Sequence, residues 1–290
     1  MNWHLAAAAL ALSASASASA ATNWTDVDAA MGRSGVVQAG DVHRYSFPRS
    51  DLSVTLDGVR IKPALALGSW LALHDMGDHA EVMGDLVLTQ QEVNPVLSRV
   101  LEGGLTITAL HNHLLNSSPP TMYMHVHGTG DAVKLATALR QALAASRTPT
   151  GPQEAATPAA LALDTKAIDG VLRAQGKVAG GTYQFSFPRA EQIREDGMAL
   201  PNSLGLATAI NFQPTSNGRA VATGDFVMVG PEVPTVIAEL RRHGIEVTAL
   251  HNHLIGEQPR LFFMHFWGNG ETAALAQGLR AALDKMNLSR

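Results

Sequence analysis

The chain has 290 residues, with 25 acidic and 21 basic side chains, a net charge of −4 and no cysteine. That balance leaves no basic footprint for a nucleic-acid partner, and the missing cysteine excludes disulfides and a thiolate nucleophile. About 270 residues beyond a leader suffice for two domains of ordinary size.

In chain order, Leu5 to Leu12 is a short apolar run and Ala18-Ser19-Ala20 a small-residue cleavage zone, so residues 1–20 read as a signal peptide and the protein as periplasmic or secreted. The run falls far short of the roughly 20 apolar residues of a membrane span. No cysteine follows it to carry a lipid anchor. Residues 25–38 suggest a short opening helix, followed by a strand ending at Ser46-Phe47-Pro48-Arg49. Alternating and β-branched residues predict strands near 53–61, 68–74 and 80–89. A helix is expected over Pro95 to Leu101, with Asn94 as N-cap, Pro95 at its first position and Gly103-Gly104 at its end. Strands from Leu105 to Leu115 and from Thr121 to Gly128 follow, parted by Asn116-Ser117-Ser118-Pro119-Pro120. The closing helix starts at Asp131 and places Leu135, Leu139 and Leu143 on one face.

The same grammar returns 140 residues later. Ser46-Phe47-Pro48-Arg49 recurs as Ser186-Phe187-Pro188-Arg189, Gly84-Asp85 as Gly224-Asp225, Glu92-Val93 as Glu232-Val233, and the leucine stripe as Leu275, Leu279 and Leu283. An opening helix is expected over 165–178, strands near 205–212 and 220–229, and a helix from Pro234 to Arg242 before Gly244. The chain therefore divides into a first repeat domain at 24–145, a Pro/Thr/Ala-rich linker at 146–163 and a second repeat domain at 164–286. The expected fold class is α+β, each domain a mainly antiparallel sheet with helices packed on one face.

Histidine is concentrated where the chain is duplicated. Thr108-Ala-Leu-His-Asn-His-Leu114 recurs as Thr248-Ala-Leu-His-Asn-His-Leu254, and Met124-His125 as Met264-His265, while His127 is replaced by Trp267. Residues i and i+2 of a strand share a face, so His111 pairs with His113 and His125 with His127. With His113 opposite His125 and His111 opposite His127, these imidazoles converge on one ion, a transition metal of which zinc and copper are the natural choices. His251, His253 and His265 form a poorer second set. The competing reading is a group of half-buried histidines satisfied by backbone carbonyls. Asp85 and Asp225 read as carboxylates orienting an imidazole or as turn formers, and Glu92 and Glu232 as general bases or as residues favouring a helix N-terminus. Asn112 and Asn252 point away from the histidines, and Arg49 and Arg189 read as surface ion pairs.

Val59-Arg-Ile-Lys-Pro63, Leu65-Ala-Leu-Gly-Ser-Trp70, Met83-Gly-Asp-Leu-Val-Leu88, Glu92-Val-Asn-Pro95, Thr108 to Leu115 and Tyr123-Met-His-Val-His-Gly128 together resemble the LppY/LpqO family of exported bacterial proteins, whose domain is present here twice. The resemblance spans nearly the whole chain beyond the leader and implies no established activity. Its namesakes are described as lipoproteins, and the absent cysteine keeps that property from carrying over. Three functions stay open at this point: metal binding through the histidines; a metal-dependent hydrolase of a cell-envelope or small-molecule substrate, with Glu92 or Asp85 as catalytic base; and a metal-free ligand-binding module lined by Tyr123, Phe263 and Trp267.

Overall fold

The computed structural model describes residues 22–151 and 160–289. The expected signal peptide and linker residues 152–159 lie outside the described residues. The first repeat runs α1 (Trp24–Met31), β1 (Val36–Gln38), β2 (Val42–Pro48), β3 (Thr55–Leu56), β4 (Val59–Arg60), α2 (Pro63–Ala66), β5 (Gly68–Asp75), β6 (Ala80–Thr89), α3 (Gln90–Glu102), β7 (Thr106–His111), β8 (Thr121–Gly130) and α4 (Ala132–Leu143). The second runs α5 (Thr165–Leu172), β9 (Lys177–Ala179), β10 (Thr182–Pro188), β11 (Arg194–Glu195), β12 (Met198–Ala199), β13 (Ala207–Pro214), β14 (Arg219–Val229), α6 (Val233–Arg242), β15 (Glu246–His251), β16 (Leu261–Glu271) and α7 (Thr272–Leu283).

Each repeat builds a six-stranded antiparallel sheet, in the order β1-β2-β5-β6-β8-β7 and its mirror listing β15-β16-β14-β13-β10-β9. Side-chain parity then fixes two faces. On β6, Val82, Leu86 and Leu88 point into a core shared with Val27 and Met31 of α1, Val93, Val96 and Val100 of α3, and the Leu135/Leu139/Leu143 stripe of α4. Met83 and Val87 point the other way, into two clusters that join residues of both repeats. Strand β6 is therefore buried from Ala80 to Leu88, on both faces. The result is four layers, helices–sheet–sheet–helices, with the two sheets apposed.

Each domain also lays an arm over the other's sheet. Leu56, Ile61 and Leu65 pack on Val221 and Trp267, while Ile193, Leu200 and Leu206 pack on Val42, Ala72 and Met83. Polar contacts hold the arms. The Lys62 amide donates to Gln213 Oε1 at 2.9 Å, Gln213 Nε2 donates to the Arg60 carbonyl at 2.8 Å, and Gln184 Nε2 donates to the Ala64 carbonyl at 3.0 Å.

Several elements differ from expectation. The opening helices end at Met31 and Leu172, and the rest of each expected span becomes the short edge strands β1 and β9. Residues 53–61 form a two-residue hairpin, β3–β4, rather than one strand. Helix α3 starts at Gln90, not Pro95, because Glu92 at its third position reaches back to accept from the Thr89 amide at 2.8 Å, which starts the helix five residues earlier and leaves Pro95 inside it. In the second repeat a 3-10 turn at Gly230–Glu232 precedes α6, so Pro234 falls near the helix start as expected.

The strand expected over Leu105 to Leu115 is shorter, Thr106–His111, and carries a bulge between Ile107 and Ala109. The assumed histidine register is thereby corrected: His125 lies opposite Ala109, His127 opposite Thr106, and His111 opposite Tyr123. Arg49 and Arg189 are not on the surface. They are fully buried, at 0% and 1% exposure, each gripping a carboxylate pair.

Candidate metal centre between the two sheets

The apposed faces carry His125 and Asp85 from the first sheet and His265 and Asp225 from the second, as directly paired residues of β6–β8 and β14–β16. His111 and His251 end β7 and β15, and His113 and His253 follow in the loops beyond. Closing the two sheets brings these residues together around a local twofold axis. His111 stacks on its own equivalent, His251, with ring centroids 3.5 Å apart. His113 stacks on His265 at 3.5 Å, and the equivalent pair, His253 and His125, meets at 3.9 Å. Tyr123 and Phe263 cap the outer faces of His113 and His253 at 3.3 and 3.5 Å. The expected two separate histidine sets are thus one composite centre.

Backbone carbonyls set the ring orientation. The Nδ1 atoms of His111, His251, His125 and His265 face the carbonyls of Asn112, Asn252, Gly84 and Gly224 at 3.2, 3.2, 3.3 and 2.8 Å. A carbonyl only accepts, so each Nδ1 carries the proton and each Nε2 presents a lone pair. Those four Nε2 atoms, with Nε2 of His113 and both ring nitrogens of His253, are buried without a hydrogen-bond partner, as are Oδ1 of Asp85 and Asp225. His113 Nε2 lies 3.5 Å from Asp85 Oδ2, and His253 Nε2 lies 3.2 Å from Asp225 Oδ2.

Burial sets the charge state. It pushes His111 and His251 down to about 4, and it holds His113, His125, His253 and His265 well below the usual imidazole value. Neighbouring rings add to the effect in His113 and His125. Burial, followed by the charge of Asp225, raises the Asp85 carboxyl well above its ordinary range. The centre is a set of neutral imidazoles, the protonation state that binds a metal. Donor atoms of His111/His113/His265, His111/His125/His251, Asp85/His113/His125 and Asp225/His251/His265 each lie within 4.8 Å of one another, close enough for one ion to be shared.

The glycine before each aspartate has a physical reason. A Cβ on Gly84 would meet Leu71 Cδ2 at 2.5 Å and the Trp70 carbonyl at 2.9 Å, and one on Gly224 would meet the Ala209 carbonyl oxygen at 1.9 Å. Their bare backbone lets the neighbouring strand close up and keeps the carbonyls that orient His125 and His265 in place.

The profile of the family described as "Domain of Unknown Function (DUF1259)" matches residues 25–145 and again 166–285. The chain belongs to that family. No curated protein matches it by sequence. Among solved structures, a trimeric bacterial microcompartment shell protein, PduB, covers 88% of this chain and 91% of its own at 12% identity, with a TM-score of 0.25. EtuB from Clostridium kluyveri covers 87% and 89% at 8% identity, with a TM-score of 0.20.

The tandem DUF1259 repeats place the remaining candidates elsewhere. His127 leaves the centre: its Nε2 lies 3.0 Å from Glu81 Oε1 and 3.6 Å from Glu195 Oε2. Trp267, its equivalent, is buried and donates from Nε1 to Asp57 Oδ2 at 2.7 Å. Glu92 accepts from both terminal guanidinium nitrogens of Arg49, the Thr89 amide and the Arg147 amide, and Glu232 repeats this with Arg189, Val229 and Asn287. With its oxygens so engaged, Glu92 is a structural clamp and not a base at the centre. Asn252 donates to Leu254 and, across the domain boundary, to the Thr108 carbonyl at 2.9 Å. His43 stacks on Trp24, and His243 donates to the Glu239 carbonyl, both away from the centre.

Proposed function

We propose that this protein binds transition-metal ions at the composite histidine centre, and that zinc or copper is the metal it takes. The observation carrying this reading is the set of six stacked imidazoles with buried, unpartnered ring nitrogens, five of which converge with Asp85 and Asp225 in overlapping groups of three. Buried polar atoms left unpaired each cost on the order of 1–3 kcal/mol, and concentrating them in one place is expensive unless a ligand satisfies them. Neutral nitrogen donors with two carboxylates nearby and no sulfur suit zinc or copper(II). Histidines merely satisfied by backbone carbonyls would have used both ring nitrogens, whereas here the carbonyls take Nδ1 and leave Nε2 free.

The leader-like residues 1–20 and the resemblance to the LppY/LpqO family support an exported protein acting in the periplasm or outside the cell. Metal binding is favoured over a hydrolase because Glu92, one of the two candidate bases, is clamped to Arg49. The test is to purify the untagged protein from Ala21 onward and measure bound metals by mass spectrometry, beside His111→Ala/His251→Ala. Near-stoichiometric zinc or copper lost in the variant supports the reading. No uptake by the wild type after reconstitution with either metal sinks it.

A further inference from the structure

A second cluster lies farther along the same pair of strands. Glu81 of β6, His127 of β8 and Glu195 of β11 bring ligand atoms within 4.8 Å of one another, two from the first domain and one from the arm of the second. Glu81 is 3% exposed, and its Oε2 is buried without a partner, as is Oε2 of Glu195. The nearby Glu257, held by the Leu261 amide and Arg260, adds a third carboxylate beside Glu195. Burial first, then the charges of Glu81 and Glu257, push the Glu195 carboxyl up.

The duplication supplies a control within the same molecule. Glu81 and His127 correspond to Val221 and Trp267 at the offset of 140. Glu195 corresponds to Leu56, since the hairpins β3–β4 and β11–β12 pair Leu56 with Val59 and Glu195 with Met198, and Thr55 bridges Ser118 as Arg194 bridges Gln258. On that side of the twofold, Val221, Trp267 and Leu56 fill the space as one apolar cluster. The fold therefore closes this position with hydrocarbon when nothing else is required. Burying Glu81 and half-burying Glu195 and His127 beside it instead carries a desolvation cost for each uncompensated charge, and one imidazolium cannot neutralise both carboxylates.

We propose that Glu81, His127 and Glu195 form a divalent-cation site, separate from the histidine centre, that ties the two domains together on one side of the twofold. Two carboxylates and one imidazole make an oxygen-rich donor set suited to manganese(II). The opposite side is held without an ion, by the hydrogen bond from Trp267 to Asp57.

The experiment is a titration of the full chain with manganese(II) chloride, reading free ion by electron paramagnetic resonance. The wild type is expected to bind one ion. Glu81→Gln/Glu195→Gln should weaken binding by roughly tenfold or more, the scale on which metal sites lose affinity when their surroundings are altered. His111→Ala/His251→Ala should bind as the wild type does, which separates this site from the histidine centre. Glu81→Val/His127→Trp/Glu195→Leu copies the apolar side and should fold, by circular dichroism, without binding the ion. In the wild type, manganese(II) should broaden the His127 ring resonances before those of His111. No binding by the wild type at millimolar ion, unchanged binding by a folded carboxamide variant, or broadening of His111 first would each overturn the site and leave the cluster as an ion pair only.

Discussion

His111 and His251, equivalent residues of the two repeats, stack on each other at 3.5 Å with 20° between their ring planes. A residue meeting its own equivalent marks the local twofold, so the chain's duplication has become the symmetry of the candidate centre. Each of the two contributes to more than one group of converging donors. His111→Ala is therefore expected to lower copper(II) affinity at the centre by on the order of a hundredfold or more, at or above the upper end of the 10–100-fold typical of groups that only orient ligands. His127→Ala, whose ring faces Glu81, should leave it nearly unchanged. Competition against a chelator of known affinity measures both.

Glu92 belongs to stability. It is held below the usual carboxylate range, since the Arg49 hydrogen bond and the Thr89 and Arg147 amides outweigh the opposing effect of burial. Glu92→Ala leaves a fully buried guanidinium with Asp51 as its remaining carboxylate partner and removes the cap of α3. Breaking a buried ion pair on one side costs about 3–5 kcal/mol, so the thermal midpoint should fall clearly. Metal content per folded chain should stay the same. Loss of metal without loss of stability would instead return Glu92 to the centre.

The depressed imidazoles predict acid sensitivity of the metal-free protein. His111 and His251 titrate near 4 when folded and near 6.5 when unfolded. Between those values the unfolded chain binds more protons, so stability falls as pH drops from about 6.5 towards 4, by up to about 1.4 kcal/mol per pH unit for each such histidine. Above pH 6.5 both states are neutral and these groups impose no slope. Denaturant midpoints at pH 7.5, 6 and 5 check this. A flat profile would mean the rings accept protons without opening the centre.

How much was legible in the sequence differs element by element. The constant offset fixed the repeats, and the Leu135/Leu139/Leu143 spacing fixed the core face of α4. The face-to-face packing was also encoded, because Ala80 to Leu88 does not alternate cleanly between polar and apolar, as a strand covered on both faces need not. The register was not readable: a bulge at Thr108 slips the pairing, and nothing in Thr-Ala-Leu-His announces a bulge. Glu81 and Glu195 do not stand out in the sequence, because neither is repeated in the other domain. Their signal is the opposite, a charged residue in one repeat where the other has an apolar one, and for Glu195 it is hidden by a one-residue shift in the offset.

Gly224 offers a test of how the sheet controls the centre from a residue that supplies no ligand atom itself. Its α-carbon faces the neighbouring strand so closely that a methyl group would lie 1.9 Å from the Ala209 carbonyl oxygen, a backbone atom that cannot rotate away. Gly224→Ala must therefore spread β13 from β14. That movement displaces the Gly224 carbonyl, which fixes the His265 ring through Nδ1 at 2.8 Å. Overpacking of this kind costs about 1–3 kcal/mol or more, and the lost orientation should lower metal affinity by roughly 10–100-fold. At Gly84 the first obstacle is a leucine methyl, Leu71 Cδ2, which has side-chain freedom, so Gly84→Ala is expected to be the milder change. Thermal midpoints and chelator competition on the two variants, side by side, give the comparison. Equal behaviour of the pair would show that the strand spacing does not set the ring orientation.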